Sequence, residues 1–81
     1  MDSFEVIGEA RNQYPDPRSF VKAFVTLYDH AGKVIGVDYT YLDPSDLAPS
    51  ETGVFDCGVY FWAGKPNRSL VSHHELQVVD D

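Results

Sequence analysis

The sequence predicts an all-β protein, either a β-sandwich or a small barrel, and three observations support this. Five apolar runs follow the two-residue period of a β-strand, and none of useful length has helical period. Aromatic residues make up 14% of the chain, as five Tyr, five Phe and one Trp, a composition typical of strands. Turn residues separate the runs at the spacing found in sandwiches and barrels.

We expect residues 1–81 to form one small domain, either a whole protein or a piece excised from a longer chain. A chain of 81 residues buries only about 60–65% of its unfolded surface, so its core is modest. The sequence contains no apolar run of the roughly 20 residues that a membrane span needs, and no targeting segment. We therefore expect no membrane insertion.

The acidic charge balance disfavours two classes of partner. Six Lys and Arg against thirteen Asp and Glu give a net charge of −7. A surface of this sign repels phosphate backbones, so nucleic acid is not an expected partner. Anionic membrane surfaces are disfavoured for the same reason.

Each apolar run is bounded by turn chemistry. The predicted strands are FEVIGEARN (4–12), FVKAFVTLYD (20–29), KVIGVDYTYLD (33–43), TGVFDCGVYFW (52–62) and LVSHHELQVV (70–79). The second run carries apolar groups on both faces, which is typical of a central strand. It should form a hairpin with the third through Asp29 and Gly32, where glycine accepts positive φ.

Two further connections and the core can also be predicted. LDPSDLAPSE reads as a crossover with a short 3₁₀ turn at Ser45–Leu47, and AGKPNRS as a hairpin loop. The inward faces of the runs give the predicted core: Phe4, Val6, Val21, Ala23, Val25, Leu27, Phe55, Val59, Leu70, Leu76 and Val78.

Four segments, in order, resemble the FxLYD domain family: IGEARN, VTLYDHAGKVIG, LDPSDLAPSE and VFD. The naming signature is VTLYD here, with Val25 in the Phe position. Two other departures are His74 in HELQV, where Tyr is usual, and Ser50 in APSE, where the family favours Gly. The resemblance extends roughly from Phe4 to Val79.

The resemblance implies an immunoglobulin-like antiparallel β-sandwich of five to seven short strands. It also implies a prokaryotic protein, often extracytoplasmic, from a family with no established catalytic activity. No catalytic residues are therefore carried over, and no cofactor is expected.

The clusters that could carry chemistry have simpler structural interpretations. On a strand, His73 and Glu75 share one face and His74 the other, so the three cannot converge on one metal ion. Cys57 alternates with apolar residues and should be a buried, unreactive thiol. Its being the single cysteine excludes an intramolecular disulfide.

The remaining polar motifs lie in predicted turns and loops. Asp43, Asp46 and Glu51 lack the spacing of a calcium loop and suit turn formation better. Asn67 begins a formal glycosylation sequon, which would have meaning only in a eukaryotic secreted protein, and the resemblance disfavours such a source.

The surface aromatics are the best candidates for a binding site. Tyr60 and Trp62 share a strand face with Asp56 and Gly58, which favours exposure. Lys65 and Arg68 in the following loop would be polar donors. Tyr39 and Tyr41 share a face with Ile35 and Val37, which favours burial instead.

The sequence thus predicts a non-catalytic accessory or interaction module that binds a protein partner or a neighbouring domain. The alternative is a carbohydrate- or small-ligand-binding module that uses Tyr60, Trp62, Lys65 and Arg68. We expect no metal site, and either a monomer or a weak dimer formed by edge-strand pairing.

Overall fold

Five β-strands form the regular structure of residues 3–61 and 68–80, the part of the chain that the computed structural model describes. The strands are β1 (Phe4–Arg11), β2 (Lys22–Tyr28), β3 (Val34–Tyr41), β4 (Thr52–Val59) and β5 (His73–Val79). A 3₁₀ turn, Arg68–Leu70, precedes β5. The predicted all-β class is confirmed. No helix of the described residues is long and apolar enough to cross a membrane.

The strands form two antiparallel sheets. One pairs β1 with β4, and the other has the order β3-β2-β5, so the predicted central position of β2 is confirmed. The predicted β2–β3 hairpin is also present. Its turn contains Gly32 at φ 81°, and the amide of Gly32 donates to the carbonyl of Asp29 at 3.1 Å.

Two predictions about connections are wrong. No hairpin joins β4 to β5, because β4 pairs with β1 whereas β5 pairs with β2; most of the AGKPNRS segment itself lies outside the described residues. The segment Ser45–Leu47 forms no 3₁₀ turn. Instead, Leu47 is held by a bridge to Arg18, with reciprocal backbone hydrogen bonds of 2.9 and 2.8 Å.

The core lies between the sheets, where alternate residues of β2 and β4 face each other. Among the described residues, nine apolar side chains are buried and form the core: Val21, Ala23, Val25, Leu27, Leu42, Leu47, Phe55, Cys57 and Val59. Most of the predicted core is confirmed, with Phe4 and Val6 partly buried at its margin. Leu70, Leu76 and Val78 were wrongly predicted as core, since each is more than 40% exposed.

The two sheets are joined along one side. Asp43, just after β3, forms a bridge to Val54 of β4, with backbone hydrogen bonds of 2.8 and 3.0 Å. At the other end of β3, a Cβ on Gly36 would lie 2.9 Å from the carbonyl oxygen of Tyr60, so glycine permits the close approach. The strands therefore follow the order β5-β2-β3-β4-β1, and β5 and β1 lie at its ends.

Candidate functional site

Aromatic side chains gather on the outer face of β2 and β3. Along β2, the inward residues Ala23, Val25 and Leu27 have no exposed surface, so the residues between them point away from the core. The register sets Phe24 beside Tyr39 and Lys22 beside Tyr41. We call these four residues, Lys22, Phe24, Tyr39 and Tyr41, the aromatic face.

The rings of the aromatic face pack against one another and still meet solvent. The centroids of Phe24 and Tyr39 are 5.2 Å apart with planes tilted by 30°. Tyr39 and Tyr41 meet edge to face at 6.2 Å. Both geometries are favourable for aromatic pairs. Even so, Tyr39 is 51% and Tyr41 48% exposed, so ring packing alone leaves a large apolar area in water.

A positive charge lies over these rings. The Nζ atom of Lys22 is 5.6 Å from the ring centroids of both Tyr39 and Tyr41, and 5.8 Å from that of Phe24. These distances are within the range of cation–π attraction. Among the described residues, Lys22 has no ion-pair partner. The face therefore combines exposed rings with a cation that is free to meet a carboxylate.

The predicted exposure of Tyr60 is confirmed, since it is 51% exposed just beyond β4. Trp62 and Lys65 lie outside the described residues, and Arg68 begins the 3₁₀ turn. Two of the four residues of the predicted ligand-binding set thus lie outside the described ranges, and the set stays a prediction.

The predicted burial of Tyr39 and Tyr41 is wrong. The inward positions of β3 are those that pair with buried residues of β2: Gly36 with Leu27, and Asp38 with Val25. Both tyrosines alternate with these positions and so face outward. A bulge at Leu27 and Tyr28 shifts the register near the turn, where Ile35 is partly buried against the core. Burial of Ile35 therefore does not imply burial of the tyrosines.

Cys57 is buried, as the sequence predicts. Burial raises the pKa of its thiol above the ordinary value of 9.0, and the carboxylates of Asp38 and Asp56 raise that pKa further. A thiol in this environment stays protonated at neutral pH and is a poor nucleophile.

The side chains of the other polar clusters contact neighbouring residues of the fold. The strand places His73 and Glu75 opposite outward residues of β2 and His74 opposite inward Leu27; the ring of His73 stacks on Tyr28 at 4.8 Å. Asp46 Oδ1 accepts a hydrogen bond from the amide of Phe20, and Glu51 Oε1 accepts one from Ala48. Over the described residues, no group of three His, Cys, Asp or Glu could hold a metal ion.

Comparisons with protein-family models, with curated proteins and with solved structures found no match to this chain. The resemblance to the FxLYD family stays a prediction, and the aromatic face is the main structural evidence on function.

Proposed function

We propose that this chain is a non-catalytic protein-interaction module, an immunoglobulin-like sandwich of FxLYD type, which binds its partner through the aromatic face. The observation that carries the proposal is that Tyr39 and Tyr41 are about half exposed on a regular part of β3, where each residue pairs with one of β2. Two antiparallel sheets with a common core support the sandwich assignment. The resemblance supports the family and an extracytoplasmic setting.

The physical chemistry of the face suits a protein interface. Tyrosine is enriched at the centres of interfaces, where it buries a large ring and keeps a hydroxyl for hydrogen bonding. The ring contacts within the sheet already restrict the rotamers of Phe24 and Tyr39, so binding would cost little side-chain entropy. A partner with an apolar patch beside an acidic group would match the rings and Lys22.

The absence of catalysis belongs to the same proposal. The single thiol is buried with a raised pKa, and the acids of the β3–β4 crossover, Asp46 and Glu51, accept backbone hydrogen bonds within turns. These observations support structural roles for the groups whose chemistry suits a nucleophile or a base.

Carbohydrate binding is the second candidate, favoured by the same exposed tyrosine rings. Sugar rings stack on open, flat aromatic surfaces, whereas Tyr39 and Tyr41 are turned 80° to each other and Lys22 lies over them. This geometry presents no single plane across two rings. It therefore supports a protein partner more than a glycan.

A capture experiment with a matched control tests the proposal. The wild-type chain, the double variant Tyr39→Ser/Tyr41→Ser and the control Tyr60→Ser are each immobilised and incubated with extract of the source cells. We expect a protein recovered equally by wild type and control but depleted at least about ten-fold by the double variant. Equal recovery on all three would overturn the proposal, and loss with Tyr60→Ser alone would move the site to Tyr60. A parallel NMR titration with a glycan panel tests the second candidate: shifts at Tyr39 and Tyr41 would favour it.

A further inference from the structure

The two sheets are joined on one side and open on the other. The bridge between Asp43 and Val54 joins β3 to β4. Within the part of the chain that is described, no strand pairs with the second edge of β1 or of β5. We call the opening between these two edges the seam. Each edge presents backbone N–H and C=O groups that can pair with an added strand.

The inward side of β5 is apolar but uncovered at the seam. Val78 pairs with Ala23 and Leu76 with Val25. Both residues of β2 are fully buried, whereas Leu76 and Val78 are 42% and 41% exposed. The core therefore covers the inward side of β2 but leaves the inward side of β5, the next strand of the sheet, partly exposed.

The inward side of β1 borders the same opening. Phe4, Val6 and Ala10 pack against the core but remain only partly buried. At one end, Ala10 and Val78 line a common cleft of about 340 Å³, whose other walls include Tyr14, Arg18 and Leu47. Both β1 and β5 run toward this cleft, so they are parallel to each other. One strand running the opposite way would lie antiparallel to both.

Among the described residues, the outer side of the seam carries an unpaired carboxylate on each of its two strands. Glu9 lies on the outer side of β1, and Glu75 on the outer side of β5. Neither carboxylate forms an ion pair with another residue of the described ranges. At the cleft, the guanidinium of Arg18 is already paired with Asp80 at 3.2 Å and lies near Asp16 at 3.6 Å. An occupant therefore meets one unpaired carboxylate on each of the two described strands; the cation on the outer side of β1, Arg11, donates a hydrogen bond from Nε to the carbonyl of Ser50 at 3.1 Å.

We propose that the seam binds an extended segment of a partner protein in which apolar residues alternate with Lys or Arg. The apolar side chains would cover Leu76, Val78 and the exposed margin of Val6. The basic side chains would point outward and meet Glu9 and Glu75. Backbone hydrogen bonds would extend the sheet, as in other cases of strand addition. This surface is separate from the aromatic face, and the proposal does not depend on it.

Charge argues for a different protein and against a second copy as the occupant. Each chain carries a net charge of −7. The free strands that a second copy could insert are β1 and β5, which bring Glu9 or Glu75 beside the same residues of the first copy. Like charges on neighbouring strands are destabilising. A strand with Lys or Arg at these positions would instead form favourable pairs with Glu9 and Glu75.

The test uses synthetic peptides and the full chain. The main peptide has nine residues that alternate Val and Lys; one control alternates Val and Glu, and another is the Val/Lys peptide with a central Pro, which cannot pair as a strand. Binding is followed by NMR shifts and amide exchange. The seam variant is Leu76→Lys/Val78→Lys, and the charge-matched control is Val37→Lys/Tyr60→Lys, whose residues are 38% and 51% exposed and lie outside β1 and β5.

We expect only the Val/Lys peptide to slow amide exchange in both β1 and β5. The seam variant should weaken its binding at least about ten-fold, and the control by less than about two-fold. The proposal would be overturned by no binding, by equal binding of either control peptide, or by equal weakening by the control variant. Shifts confined to the aromatic face would also overturn it. A dimer in sedimentation without peptide, abolished by Leu76→Lys/Val78→Lys, would assign the seam to a second copy instead.

Discussion

Val25 and Leu76 lie directly opposite each other on β2 and β5, yet Val25 is fully buried and Leu76 is 42% exposed. On the inward face of this sheet, the side chain on β2 is thus fully buried, whereas its partner on the adjacent strand β5 is partly exposed. This difference in exposure lies at the seam. It predicts that the paired residues Val25 and Leu76 contribute differently to stability.

Truncation of these two residues should have unequal effects on stability. Val25→Ala leaves a cavity in the closed core, so we expect a loss of about 2 kcal/mol in the free energy of unfolding. Leu76→Ala removes more atoms but leaves no enclosed cavity, so its loss should stay below about 1 kcal/mol. Urea denaturation of both variants measures the difference, and equal losses would mean that β5 is covered.

The turn after β2 depends on one carboxylate. Asp29 Oδ1 accepts hydrogen bonds from the amides of Ala31 and Lys33 at 2.9 and 2.8 Å. Asp29→Ala removes both bonds, and we expect a loss of about 1–2 kcal/mol. Asp29→Asn keeps an acceptor oxygen and should lose less than half as much. If both variants lose the same, the charge of Asp29 and not its hydrogen bonds stabilises the turn.

Ser50 occupies a left-handed backbone conformation, with φ at 69°. Non-glycine residues are strained there, and glycine is not. Ser50→Gly should therefore raise the free energy of unfolding by about 0.5 kcal/mol, after the entropic cost of glycine is included. Ser50→Ala keeps the strain and should give no gain. Thermal melts of the two variants distinguish relief of strain from loss of the hydroxyl.

The buried thiol of Cys57 should make the folded chain less stable in alkaline solution. Burial, with Asp38 and Asp56, raises the pKa of its thiol in the folded chain above 9.0. As pH rises above about 9, the thiol ionises in the unfolded chain first, because its pKa is lower there, and this favours unfolding. The stabilising contribution is complete below that pH and is lost as pH rises through the folded-state pKa.

A comparison with Cys57→Ala isolates this contribution. The variant lacks the titrating group, so the advantage of the wild type over it should narrow between about pH 8 and 10. An advantage that stays constant over this range would show that the folded and unfolded thiols ionise alike.

The strands and their central member could be predicted from sequence because alternation and turn chemistry are local properties. Ala23, Val25 and Leu27 alternate without interruption, and Asp29 with Gly32 marks the hairpin. Sheet membership could not be predicted in the same way. Whether β5 follows β4 or crosses to β2 depends on long-range pairing, and so does the edge position that leaves its inward residues Leu76 and Val78 exposed.

The aromatic face was missed because both sides of the third run carry apolar groups. Ile35 and Tyr39 have the same parity, and only the bulge at Leu27 and Tyr28 separates the environment of Ile35 from that of the tyrosines. A usable signal was present in the hairpin. Pairing across the turn sets Asp38 opposite Val25, which lies on the buried side of β2. Asp38 therefore points inward, and Tyr39 and Tyr41, which have the opposite parity, point outward.

Site-specific photo-crosslinking tests most directly whether the aromatic face is the working surface. A crosslinking residue replaces Val37, 38% exposed beside the tyrosines on the outer side of β3, or Val54, 53% exposed on the outer side of the other sheet. We predict that a partner protein of the source cells crosslinks through position 37 and not through position 54. Crosslinking through position 54 alone, or equally through both, would contradict the proposed function.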